Sequence, residues 1–309
     1  MTALQPGRTV TVEVPATSAN LGPGFDCFGL ALSWREQVEL TVTDGGWAVD
    51  VTGEGADNVP RDESHLILRS ALRGLADLGH RVPGLRLRCH NTIPQGRGLG
   101  SSSAAIVAGL LAATALVEDR GEAVDGHGRG DRTHWLLQHA AAIEGHPDNV
   151  AAAICGGFVL AWTGAAGVDV AVSPVHPEVA ATVFVPASPV TTKAARGLLP
   201  ASVPHRDAAR NAGRAALLVH ALSSDPDRLL AGTADWLHQD QRRPAMPDSW
   251  LLMNHLRGLG HAAVISGAGP TVLVLGRRAE LDALEADPLG FRRVPLTVGG
   301  PAAVTQTSG

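Results

Sequence analysis

Residues 94–117 constrain this chain most. A loop of Pro94-Gln95-Gly96-Arg97-Gly98-Leu99-Gly100-Ser101-Ser102-Ser103 runs straight into Ala104–Val117, an Ala/Leu-rich segment without a charged residue. Such a segment reads as a helix buried in a core. Glycines at 96, 98 and 100 let the loop backbone bend so that several N–H groups point inward, and the helix N-terminus adds free amides and a partial positive charge. Together these make an anion site. Serine hydroxyls at the mouth can cap amides, touch phosphate oxygens or ligate Mg²⁺. Two readings of the local feature stay open: a phosphate cradle, or serines that merely cap a core helix. A third is a serine-hydrolase nucleophile elbow, because Gly100-Ser101-Ser102-Ser103-Ala104 is one substitution from Gly-x-Ser-x-Gly. An elbow turns sharply from strand into helix, whereas here Asn91–Gly100 separates the two, so the broad cradle fits better.

Composition narrows the chemistry. Only one of the 25 basic residues is a lysine, Lys193, and it sits in neither a Walker-A nor a protein-kinase lysine context. A nucleotide phosphate would have to be held by backbone amides, arginine, serine and metal. With 45% apolar and 18% charged residues and a net charge of −5, the chain can bury real cores and shows no nucleic-acid footprint. No stretch nears the ~18 uninterrupted apolar residues of a membrane span, and Met1–Arg8 lacks a signal peptide's basic start and apolar middle. A soluble, cytoplasmic protein is expected, with no membrane partner. Cys27, Cys89 and Cys155 match neither a zinc nor a disulfide pattern and read as small buried thiols.

A length of 309 residues suggests two domains. Alternation at Val10, Val12 and Val14 predicts a strand over Thr9–Ala16. Further strands are expected at Gln37–Thr43, Trp47–Val51, Leu85–Cys89, Phe158–Trp162, Ala181–Val185, Ala262–Ile265 and Thr271–Leu275. Helices are expected at His65–Leu78, His134–Ile143, beyond Pro147, Asp207–Leu222, Asp227–Trp236 and Trp250–Leu259. Asp119–Asp131 reads as a mobile surface loop and the tail after Leu296 as loosely ordered. The small residues Thr163–Gly167 mark the expected division, into 1–166 and 167–309. The class is α+β.

Three more segments carry chemistry-bearing residues. Glu144-Gly145-His146-Pro147-Asp148-Asn149 gathers two carboxylates, an imidazole and an amide in one turn, suited to Mg²⁺ or to orienting an amine or hydroxyl; the plain alternative is helix punctuation. Ser18-Ala19-Asn20-Leu21-Gly22-Pro23-Gly24-Phe25-Asp26 is a polar loop between apolar segments, either a binding loop or a set of ordinary turn residues. Ser266-Gly267-Ala268-Gly269-Pro270-Thr271 reads in isolation as a tight hairpin.

Taken in order, the four segments resemble the GHMP kinase superfamily and, within it, the homoserine kinase family. The glycine–serine loop is similar to the superfamily's phosphate loop. Pro15–Asp26 and Glu144–Ala151 resemble the homoserine kinases more selectively. The resemblance implies an N-terminal domain like domain 2 of ribosomal protein S5 and a ferredoxin-like C-terminal domain. It implies ATP-dependent phosphorylation of the side-chain hydroxyl of L-homoserine in threonine biosynthesis, with Mg²⁺, and a homodimer. It also implies roles by residue. Pro94, Gly96, Arg97, Gly98, Leu99, Gly100, Ser101, Ser102, Ser103 and Ala104 would bind ATP, with Ser102 and Glu144 on the metal. Asn20, Asp26, His146 and Asp148 would hold the amino end and backbone of the acceptor, and Thr192, Arg196 and Arg242 its carboxylate end. Asn149, Asp148 and Arg196 would be the catalytic set. Physics agrees with this division: an ammonium needs carboxylates, and arginine grips a carboxylate in a two-pronged fork. A GHMP-family kinase for another small alcohol, of the mevalonate or shikimate class, is the alternative; so, more remotely, is a non-catalytic binder on the same scaffold.

Overall fold

The computed structural model describes residues 1–118, 130–285, 288 and 290–308. The loop expected at 119–131 lies outside the described residues but for its last two, of which Asp131 opens a helix.

The alternating valines at 10, 12 and 14 are fully buried, and the strand they start, β1 (Thr9–Asn20), is longer than their periodicity predicts. Its length comes from its partner, β2 (Gly24–Thr43), which pairs antiparallel along it from Thr9↔Thr41 to Asn20↔Gly24. β3 (Gly46–Gly53) and β4 (Gly84–Asn91) pair in parallel, and helix α1 (Leu66–Asp77) supplies the crossover that parallel pairing requires. The far half of β2 pairs with β4 (Leu40↔Leu87). Its near half pairs with β5 (Phe158–Gly164), through Leu30↔Phe158. β5 then turns back as β6 (Gly167–Ser173).

Against this sheet lies α2 (Ser101–Val117), buried from Ile106 through Leu116, as its uninterrupted apolar run requires. α3 (Asp131–Glu144) and α4 (Asp148–Cys155) complete the layer. Packing these apolar faces together contributes most of the fold's favourable energy, at roughly 25 cal/mol per Å² of apolar surface removed from water.

The second sheet holds β7 (Val179–Pro186), β8 (Ala262–Ile265), β9 (Val272–Arg277) and β10 (Phe291–Thr297), in spatial order β8-β9-β7-β10 and antiparallel throughout. Counted within this half, that is strand order 2-3-1-4, the ferredoxin-like arrangement. α5 (Thr192–Arg196), α6 (His205–Ser223) and α7 (Pro247–Gly258) fall between β7 and β8. The α+β class follows the sequence expectation.

Three details differ from it. The tail is ordered: β11 (Ala303–Ser308) pairs with β1 (Val12↔Val304), and Ala302 is buried, its N–H on Ala153 O at 2.9 Å. A polar edge strand held by backbone hydrogen bonds leaves little apolar periodicity to read. The division expected at 166/167 falls within the turn of the β5–β6 hairpin, so by strand pairing 167–173 and 303–308 go with the first sheet. The helix expected at Asp227–Trp236 is only a 3-10 turn and one α-turn, Leu229–Gly232. Asp235 accepts from the backbone N–H groups of Leu237, His238 and Gln239, and this cap turns the chain into Gln239–Arg242.

Cys89 and Cys155 are buried and Cys27 half-buried, and none of the three is in a disulfide. Burial pushes the Cys89 thiol up to about 12, far from reactive. Among the described residues no helix is long and apolar enough to cross a membrane.

Candidate active site

The four sequence segments meet at one cleft of about 330 Å³. All the singled-out site residues line it except Pro94 and Ala104, which lie one at each end of the loop. Ser266–Pro270, unremarkable as a hairpin, is what joins them. Gly267 N–H donates to Ala19 O, Ser266 Oγ donates to Gly98 O at 2.6 Å and meets Ser18 Oγ at 2.8 Å, and Thr271 N–H reaches Arg97 O. The second domain thus clasps both the β1–β2 loop and the glycine loop.

No side chain caps the N-terminus of α2. The serines are used otherwise: Ser102 Oγ and Ser103 Oγ donate to the same Glu144 oxygen, Oε1, at 2.7 and 2.8 Å. The capping explanation of these serines therefore fails, and so does the hydrolase elbow, whose serine must meet a histidine. What remains is an uncapped, positively poised helix end with a carboxylate on its rim. Gly98 sits at φ +70, and a Cβ there would come within 2.2 Å of Ser266 O. Gly98→Ala is expected to destabilise the protein by about 1–3 kcal/mol, read from urea unfolding, because the strain falls on backbone that cannot move aside.

Arg97 Nε, Nη1 and Nη2 donate to the carbonyls of Pro186, Gln95 and Ala187, latching the loop to the end of β7 and leaving two of its five N–H groups for other partners. Lys193 is exposed and does not line the cleft.

Across the cleft, Asn20, Leu21 and Asp26 have left-handed backbone (φ +68, +49 and +53), and Leu21 is fully buried. Asn and Asp tolerate this region; a buried leucine does so only where its surroundings impose it. Asn20 does much of the imposing, since its Oδ1 accepts from Asp26 N–H and its Nδ2 donates to Gly267 O. Its amide therefore shapes the loop that presents Asp26. The Arg196 guanidinium forks onto both Asp26 oxygens, Nη1–Oδ2 at 3.0 Å and Nη2–Oδ1 at 2.6 Å, which raises the Arg196 pKa. Arg242 is buried, and Phe25 lies against both guanidiniums, 5.5 Å from Arg196 and 5.3 Å from Arg242. Desolvation first, and then the charge of Arg196, pull Arg242 down to about 10. It remains charged at neutral pH and donates to Gly267 O and His238 Nδ1.

Asp148, 2% exposed, opens α4. Its Oδ1 accepts from His146 Nδ1 at 3.0 Å and from the backbone and side-chain nitrogens of Asn149. The hydrogen bond to Asp148 raises the His146 pKa, which favours an imidazolium beside the carboxylate. The cleft is thus anion-seeking at the helix end and carries both signs of charge at the other.

Residues 65–157 match the family model of the GHMP kinases N terminal domain. A homoserine kinase of Streptomyces coelicolor is 52% identical over 277 residues, which cover 90% of this chain and 87% of that protein. One from Corynebacterium urealyticum is 47% identical over 311 residues, 98% of each. The chain belongs to the homoserine kinase family. A crystal structure of homoserine kinase from Cytophaga hutchinsonii superposes with a TM-score of 0.80 at 28% identity, covering 96% of this chain and 97% of that one. The chain accordingly has the two-domain GHMP kinase fold and is a kinase that transfers phosphate to an alcohol group.

Sequence reasoning missed the outer end of the cleft. Val59, Pro60, His65 and Leu66 line it beside Asn91 and Gln95. Parallel pairing sets Gly53 opposite Asn91 and so delivers the segment after β3 to the start of the homoserine kinase family's glycine loop. Residues some thirty positions away in sequence then share one wall. His65 was readable only as a helix start; its Nδ1 accepts from Ile67 N–H, and burial lowers its pKa. Glu36, one residue before the strand expected at Gln37–Thr43, is buried within β2 and accepts from Thr92 and Ile93 N–H, which no local pattern signals.

Proposed function

We propose that the protein transfers the γ-phosphoryl group of ATP to the side-chain hydroxyl of L-homoserine. One observation carries the choice of acceptor: carboxylates (Asp26, Asp148) and guanidiniums (Arg196, Arg242) converge in the cleft that also holds the uncapped helix end. An amino acid is the small alcohol that requires both signs; mevalonate and shikimate would leave the carboxylates unmatched.

In this reading the outer end lined by Val59, Pro60, His65 and Leu66 takes the nucleobase, and the amides of Gly98–Ser103 take the phosphates. Glu144 and Ser102 offer hard oxygen ligands only, which suits Mg²⁺ shared with substrate phosphates and water. Mg²⁺ would neutralise charge building on the phosphate oxygens. Asn149 directs its amide at the acceptor hydroxyl. The hydroxyl oxygen bonds to the γ-phosphorus as the bridge to the β-phosphate breaks, ADP leaves, and the hydroxyl proton passes late to water. A loose transition state asks for alignment and charge stabilisation, so no dedicated base is needed. The reading carries with it a cytoplasmic place in threonine synthesis.

The test is a steady-state assay of the purified protein with ATP, Mg²⁺ and, in turn, L-homoserine, mevalonate and shikimate. ADP release is expected with L-homoserine alone. Release with another alcohol and none with L-homoserine overturns the proposal.

A further inference from the structure

Thr17 lies in β1, fully buried, outside every role given so far. Three contacts single it out. Its backbone N–H donates to Leu99 O at 3.0 Å, inside the glycine loop. Its Oγ1 lies against Gly100, the residue that opens α2, so closely that a Cβ there would come within 1.9 Å of it. The same hydroxyl donates to Asn149 Oδ1 at 2.8 Å.

A second anchor, Asp148, sets the amide orientation that this bond then holds. Asn149 could present either its oxygen or its nitrogen to the cleft. Asp148 Oδ1 only accepts, and it takes Asn149 Nδ2 at 3.2 Å. Thr17 Oγ1–H donates to the other end of the amide. The hydroxyl can serve either end of an amide, so it follows the orientation Asp148 sets; the remaining N–H of Nδ2 is free for an oxygen in the cleft that Asn149 lines. Gly100 at φ +69 holds the phosphate loop on the same threonine.

We propose that Thr17 is the positioning residue of the transfer: its hydroxyl holds the Asn149 amide with a donor toward the acceptor oxygen, registered to the phosphate loop through Leu99 and Gly100. The inference rests on the reading of Asn149 as the residue at the reacting hydroxyl. A serine keeps the hydroxyl. Valine keeps the shape, and so the contact with Gly100, but leaves Asn149 Oδ1 without its donor.

The experiment is a double-mutant cycle with Thr17→Val, Asn149→Ala and the two combined, alongside Thr17→Ser, all assayed with ATP, Mg²⁺ and L-homoserine. Thr17→Val is expected to lower kcat about 10- to 100-fold, with both KM values within about threefold, and Thr17→Ser to restore kcat to within about threefold. The combined variant is expected to be no slower than Asn149→Ala alone. Additive losses, an effect confined to KM, or a Thr17→Ser variant as slow as Thr17→Val would overturn the proposal, since a structural defect would produce them. Should Thr17→Val not fold, Thr17→Ala replaces it, with the same comparison to Thr17→Ser. A wild-type protein active only on another alcohol defeats the substrate reading alone, and the cycle is then run with that alcohol. Full activity in Asn149→Ala on L-homoserine defeats the positioning role and leaves the substrate reading standing.

Discussion

Glu144→Ala is expected to lower kcat about 100- to 1000-fold while the KM for L-homoserine stays within about threefold. Glu144 accepts from Ser102 and Ser103 through Oε1, and in the proposed reaction it faces the phosphates rather than the amino acid. Charge grows on the phosphate oxygens as the transition state forms, so a group that offsets it through Mg²⁺ acts mainly on kcat. Glu144→Gln separates charge from shape, because the amide can still accept from the serines but holds Mg²⁺ poorly. It is expected to remain nearly as slow as Glu144→Ala, with an unfolding midpoint close to that of the wild type. Steady-state kinetics at saturating ATP and varied Mg²⁺ check this. Recovery of the Gln variant to wild-type kcat would make Glu144 a structural anchor for the serines and remove it from the metal.

The sequence carried the chemistry of this site better than its enclosure. Each motif could be read because it is contiguous: three glycines before a buried helix, or two carboxylates within five residues. What joins the motifs is not contiguous. Ser266 and Gly267 meet Gly98, Ala19 and Asn20 only after two sheets have formed, so the segment that locks the cleft looked like an ordinary turn. The outer wall at Val59–Leu66 depends on the parallel register of β3 and β4, which no local pattern sets. Arg97 lines the cleft as its place in the loop suggests, but its three bonds to the backbone carbonyls of Gln95, Pro186 and Ala187 carry no sequence signal. β11 was lost for a simpler reason: an edge strand facing solvent with Thr, Gln and Ser leaves no apolar period to find.

The proposed acceptor also predicts what the opposite end of the cleft should do when cut. Arg196→Ala is expected to raise the KM for L-homoserine about 30- to 1000-fold and to change kcat by less than about threefold. Arg196 and Asp26 are joined by two hydrogen bonds, and each is about a third exposed. A zwitterion can enter such a pair by exchange: its carboxylate takes the guanidinium fork while its ammonium takes the released Asp26. Both ions stay matched throughout, and neither is stranded in the cleft. With Arg196 gone, the carboxylate has only one guanidinium in place of two, that of Arg242, whose Nη1 already serves His238 and Gly267. Arg196→Lys restores the charge but not the fork, so it is expected to recover only part of the KM loss. An exposed pair contributes at most about 1 kcal/mol to folding, so the unfolding free energy should barely move in either variant. A kcat loss with unchanged KM would place Arg196 on the phosphoryl group instead of the amino acid, and the division of the cleft argued above would have to be reversed.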